Sequence, residues 1–113
     1  MATIKSYTDI EQSKKLAEIL PLESADMCYM YLGTENKEYE DIPICAPAME
    51  GDLCAWSFAA LFGVLPDNCG IDKEDGKYVA SYLVSNECGT YTSDNTVDAC
   101  YKMIIYLHEL KML

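Results

Sequence analysis

Apolar residues crowd most densely between Leu53 and Leu65, where LCAWSFAALFGVL holds eleven apolar residues out of thirteen and leaves no polar face. A helix that is apolar on every side has to be buried. At roughly 1.5 Å per residue it would reach only about 20 Å, short of the roughly 30 Å of a bilayer core. The run therefore predicts a central buried helix over 53–65 and no membrane span. Asp52 stands where an N-cap belongs, Pro66 stops the helix, and Trp56 and Phe62 bring the largest packing areas. Trp56 and Leu61 are expected to be buried.

The other elements follow from weaker patterns. Thr8 with Glu11 reads as a capping box opening a helix through Ile10, Leu16, Ala17 and Leu20, which Pro21 ends. The run Asp26 to Leu32 alternates Met27, Tyr29 and Tyr31 with Cys28, Met30 and Leu32, so it predicts a strand covered on both faces. From Gly33 to Gly51 periodicity disappears, which predicts a long acidic loop with at most a short extended piece around Ile42 to Cys45. The stretch PDNCGIDKEDG is turn chemistry including Asp75-Gly76, and Lys77 to Ser85 alternates as a strand with Tyr78, Ala80, Tyr82 and Val84 on one face. A turn over Asn86 to Gly89 would lead into a short strand at Thr90 to Thr92. Asn95 and Asp98 mark the start of a last helix whose stripe is Val97, Cys100, Ile104, Leu107 and Leu110, widened by Tyr101 and Met103. The order predicts an α+β fold in one compact domain over 1–113, three helices packed on a small, largely antiparallel sheet.

Charge narrows the function classes. The net charge is −11, every basic residue is lysine, and residues 21–94 hold fourteen acids against Lys37, Lys73 and Lys77. Such a surface repels phosphates, and without arginine there is no bidentate phosphate or guanine recognition, so nucleic acid is excluded as a partner. The opening MATIKSYTDIEQSKK lacks a signal-peptide pattern. The six cysteines never fall at C-x-x-C spacing, so they are expected to be reduced, mostly buried thiols with no zinc site.

Few residues suggest catalysis. His108 is the only histidine, near the end of the last helix, and no flanking signature pairs it with a cysteine nucleophile. Placing Gly76 at the glycine of a calcium loop would put Ile71, Lys73 and Asp75 at the first three ligand positions, of which only one can serve. No glycine-rich phosphate cradle occurs. Nine tyrosines, among them Tyr29, Tyr31, Tyr78, Tyr82 and Tyr91, are suited to partner contact.

The segments IKSYTDIEQSKKLAEILPLESADM, WSFAALFGVLP and DNTVDACYKMIIYLHELKML resemble a recurrent family of small hypothetical proteins encoded by phages, prophages and related mobile elements of gut Bacteroidales. Members differ in length and composition over Gly33 to Gly51 and Asp67 to Cys88. The resemblance implies a cytoplasmic setting in the bacterial host and brings no activity and no functional residues. The combined expectation is a non-enzymatic accessory protein, with no cofactor and no metal, that binds a basic host or phage protein through Glu35, Glu38, Tyr39, Glu40 and Asp41. In one form it would be an acidic inhibitor of a host nucleic-acid-binding or defence protein. The alternative is a small-ligand binding or sequestering protein with a pocket between the central helix and the sheet. A tyrosine-lined pocket with a spare acid would favour that alternative, and a flat acidic surface the first reading.

Overall fold

The computed structural model describes residues 5–84 and 87–113, with the backbone alone at 83, 84, 87 and 88. The fold is α+β, with three α-helices and two antiparallel sheets of two and three strands. The chain forms two compact units, Tyr7–Ala60 and Leu61–Leu113, the second including the segment that ends at Ser6.

The N-terminal unit begins with helix α1, Ile10–Ala17. Its cap lies one residue beyond the expected box. The Asp9 carboxylate accepts from Gln12 N at 2.8 Å, and Gln12 Oε1 accepts from Asp9 N at 3.2 Å. Thr8 is free of capping because it is fully buried, where its Oγ1 accepts from Trp56 N at 3.1 Å and bonds Ser13 Oγ at 2.8 Å. After a short 3-10 turn at Leu22–Ser24 the chain enters β1, Met27–Tyr29, which pairs with β2, Leu53–Ala55, in the register Met27–Ala55, Cys28–Cys54 and Tyr29–Leu53. Beyond β1 the chain returns with bends at 38, 41 and 42 and touches β1 and its continuation at two isolated bridges, Cys28 and Ile44 exchanging two backbone bonds of 2.9 Å and Tyr31 pairing with Tyr39. Of the extended piece expected around Ile42 to Cys45, only the single bridge at Ile44 forms, with bends at Ile42 and Cys45.

Four expectations need correction from β1 to Val64. The helix expected over 53–65 is a strand at Leu53–Ala55 followed by helix α2 at Phe58–Val64. A dense apolar run serves a buried strand as well as a buried helix, and here the choice is made by remote groups. Asp26 accepts from Ser57 N at 2.9 Å and from its hydroxyl, while Ser57 Oγ accepts from Ala60 N at 3.2 Å, so the helix starts only there. Asp52 is therefore no helix cap. Phe62 is exposed, whereas Trp56 and Leu61 are fully buried as expected. Finally, the strand expected to be covered on both faces is covered at Cys28 and Tyr29 but leaves Met30, Tyr31 and Leu32 exposed.

Tyr29, Leu53 and Ala55 form one core cluster of this unit, with Ile10, Met27 and Tyr39 against them. Tyr29 donates its hydroxyl to Thr8 O at 2.7 Å, and burial, reinforced by Tyr7 and Asp9, pushes its phenol up to about 12.

In the C-terminal unit, the acidic stretch read as turn chemistry contains a strand, β3 at Cys69–Glu74, whose charged half disguised it. Asp75 and Gly76 have φ of 51° and 76° and turn the chain into β4, Lys77–Val84. Positive φ at both central residues is what a two-residue hairpin requires, and Asp-Gly supplies it. β5, Glu87–Ser93, completes the order β3-β4-β5. Of the turn expected over Asn86 to Gly89, the stretch Glu87 to Gly89 is instead the start of β5, paired with Tyr82 to Val84, while Asn86 and the side chain of Val84 fall outside the described residues. Helix α3, Thr96–Glu109, opens on Asn95 as expected, with Asn95 Oδ1 accepting from Asp98 N at 2.7 Å. Its stripe of Val97, Cys100, Met103, Ile104 and Leu107 is fully buried, while Leu110 is exposed. Ala80, Tyr82, Ala99, Met103 and Leu107 make the core, with Tyr78 packed beside them. Lys5 Nζ meets Asp98 Oδ1 at 2.8 Å, tying the N-terminal segment to this unit.

Candidate functional site

The charge is unevenly divided between the two units. Residues 7–60 hold eleven acids against Lys14, Lys15 and Lys37, a net −8, whereas the rest of the chain holds eight acids against five lysines. Within the N-terminal unit, Glu35, Glu38, Glu40 and Asp41 are all exposed on a hairpin. Its tip is closed by Thr34, whose N and Oγ1 both donate to Lys37 O, at 2.9 and 2.7 Å. Threonine suits such a tip because its hydroxyl replaces a backbone partner. Tyr39 is half-buried, reaches the core of the unit, and stacks edge-on against Tyr31 at 5.7 Å.

The five expected partner-binding residues are therefore neighbours, but their charge is partly answered. Lys37 Nζ bonds Asp41 Oδ2 at 2.7 Å, and Lys14 Nζ lies 3.9 Å from Glu38 Oε2 and 6.0 Å from the centre of the Tyr39 ring. The bond to Asp41, its charge and that of Glu40 raise the Lys37 pKa. Exposed pairs of this kind contribute little to stability.

A feature that sequence reasoning did not find lies elsewhere in this unit. A groove of about 830 Å³ runs between the 3-10 turn, β1, β2 and the segment 45–52. Leu22, Met27, Pro47, Met49 and Leu53 supply apolar walls, and Glu23, Asp26, Glu50 and Asp52 are the charged residues lining it, with no lysine among them. Met49 and Leu22 are 78 % and 61 % exposed, far more than a side chain in a closed core. The wall is held by two side chains. Asp52 accepts from Tyr31 N at 2.9 Å and Met49 N at 3.1 Å, and Ser24 Oγ accepts from Trp56 Nε1 at 2.9 Å while donating to Pro21 O at 2.6 Å. Nothing in the sequence signals this groove, because its walls come from stretches some twenty residues apart that are brought together by β1–β2 pairing and the side-chain bonds beside it.

The chain matches no protein-family model, no curated protein and no solved structure. Its chemistry therefore has to be read from its own side chains.

Four of the described thiols are the reverse of activated. Burial raises the pKa of Cys28, Cys54, Cys69 and Cys100, the last to about 12, whereas a nucleophilic cysteine needs a lowered one. Cys28, Cys45, Cys54, Cys69 and Cys100 are free thiols, and the Cys88 side chain lies outside the described residues. His108 is exposed, with Nδ1 3.2 Å from Leu113 O. Among the described residues, no three His, Cys, Asp or Glu side chains gather as metal ligands, and no helix is long and apolar enough to cross a membrane.

Thiol accessibility is directly measurable. Under native conditions near neutral pH, iodoacetamide is expected to modify exposed Cys45 first and Cys100 last among the five described thiols, because alkylation follows thiolate content and access. Peptide mapping by mass spectrometry reads the order. Modification of Cys100 as fast as Cys45 would contradict the packing of α3 described above.

Proposed function

We propose that the protein is a non-enzymatic accessory protein of a phage or mobile element, acting in the cytoplasm of a bacterial host by binding a basic protein through its N-terminal unit. The observation that carries this reading is the coincidence, on one unit, of most of the negative charge with exposed apolar side chains such as Leu22, Met30, Tyr31, Ile42 and Met49. Charge steers a basic partner to this surface, and apolar side chains then supply the contact area that holds it. The groove joins both properties, since apolar residues and Glu23, Asp26, Glu50 and Asp52 line it together.

Inhibition of a nucleic-acid-binding or defence protein is one form of this activity. Close imitation of duplex DNA is the less favoured version. A duplex carries one charge per roughly 1.7 Å of axis, whereas two of the four hairpin acids here are paired with lysine.

The test is capture of a partner from host lysate on the tagged chain, followed by measurement of association with the purified partner. Replacing Glu35, Glu38, Glu40 and Asp41 by their amides should slow association, and replacing Glu23 and Glu50 by glutamine should do so as well. Loss of electrostatic steering is expected to reduce the rate roughly tenfold at low salt. Exposed substitutions of this kind should change stability by less than about 0.5 kcal/mol. An association rate indifferent to both sets of replacements and to salt would rule out the charged-surface reading.

A further inference from the structure

The C-terminal unit carries a second concavity, which the protein-binding reading does not use. It measures about 480 Å³ and is lined by Tyr91 of β5 and by Tyr101, Lys102, Ile105, Tyr106 and Glu109 of α3. On α3 the pairs 101/105, 102/106 and 105/109 are each four residues apart, the spacing that places side chains along one helix face. Three tyrosines and a carboxylate are thereby gathered at one edge of the sheet.

The aromatic wall is held in place from behind. The Tyr91 and Tyr106 rings lie 5.2 Å apart, tilted by 55°, and Tyr106 in turn lies 5.7 Å from buried Tyr82 at 53°. Gly89 makes this possible. A Cβ there would sit 2.8 Å from Tyr82 Cε1 and 3.2 Å from Tyr106 Cε2, so only glycine leaves room for both rings. Burial, then Tyr106 and then Glu109 raise the Tyr91 pKa, which puts the Glu109 carboxylate within electrostatic reach of the ring.

We propose that this tyrosine cup is a binding site for a quaternary alkylammonium group. The faces of aromatic rings are electron-rich and attract cations, and a quaternary ammonium gives up its hydration more readily than a lysine because it has no N–H to satisfy. Glu109 adds a negative charge, and the C-terminal end of α3, where Glu109 lies, adds the negative end of the helix dipole. An anion would meet the same groups as repulsion. Lys102 is the opposing element, and its ammonium is directed to Thr92 O at 3.3 Å. The volume falls within the roughly 300–1,000 Å³ of small-molecule sites.

The test uses choline and its uncharged isostere 3,3-dimethyl-1-butanol as probes, each titrated into the whole chain and followed by amide chemical shifts. Choline is expected to give saturable shifts confined to the neighbourhood of Tyr91, Tyr101, Tyr106 and Glu109, with the neutral isostere roughly 2- to 30-fold weaker. Tyr101→Ala and Glu109→Gln should weaken choline binding, Tyr101→Phe should retain it, and Lys102→Met should strengthen it. Spectral dispersion shows in the same experiment that each variant is folded. Equal affinity for the two probes, no shifts at the cup, or a Tyr101→Phe loss as large as that of Tyr101→Ala would overturn the proposal. None of these outcomes bears on the acidic groove, which lies in the other unit.

Discussion

Replacing Trp56 by alanine is expected to destabilise the protein by about 3 to 5 kcal/mol, the usual range for removing a buried aromatic side chain. Trp56 is the largest fully buried side chain, at 0 % exposure. It also carries bonds that hydrophobic area does not count. Its indole N–H reaches Ser24 Oγ, and its backbone exchanges bonds with Thr8, donating to the Thr8 hydroxyl at 3.1 Å and accepting from Thr8 N at 2.9 Å. Truncation therefore leaves a cavity and also releases the 3-10 turn that walls the groove. Urea denaturation followed by circular dichroism is the suitable measurement, since the variant has no tryptophan left to report. An unchanged midpoint would mean that the packing around Trp56 is not as described.

Trp56 also shows how much of the fold was legible. Its burial follows from hydrophobicity and is the same whether the backbone around it is strand or helix. The backbone state was not legible, because Asp26 and Thr8 decide it through bonds that span thirty-one and forty-eight residues. Elements with local signals were read more accurately. The Asn95 cap, the Val97 to Leu107 stripe and the Asp75-Gly76 hairpin are each specified within a few residues. β3 was missed because Asp72, Lys73 and Glu74 face solvent at a sheet edge, where charge is tolerated and alternation fades. The acidic hairpin was visible as composition. The groove and the tyrosine cup were not, since each needs strand pairing or helix packing to bring its walls together.

A second large effect is expected from Thr8→Val, a change of nearly equal volume that removes only the hydroxyl. In the folded protein this hydroxyl is the acceptor for Trp56 N and the partner of Ser13 Oγ, and all three residues are fully buried. Valine leaves both groups without a partner and out of reach of water, and each stranded buried group costs about 1 to 3 kcal/mol. Thr8→Ser keeps the hydroxyl and gives up one methyl group, for a loss on the order of 1 kcal/mol. Urea titrations monitored by Trp56 fluorescence should thus rank wild type above Ser above Val. A valine variant as stable as the serine variant would show that the hydroxyl contributes nothing. Adjacent Asp9 offers the contrast, because its cap is solvent-exposed and replacement by alanine should cost only about 1 kcal/mol.

The N-terminal unit is one uninterrupted stretch of chain, whereas Lys5, which precedes it, bonds Asp98 far downstream. Translation gives this arrangement an order in time. At about 5–20 residues per second, roughly 2 to 8 seconds separate the synthesis of Ala60 from that of Asp98. During that interval every residue that lines the groove already exists, while the Asp98 that Lys5 bonds has yet to be made. The N-terminal unit is thus expected to have its whole sequence in place before the C-terminal unit has all of its own.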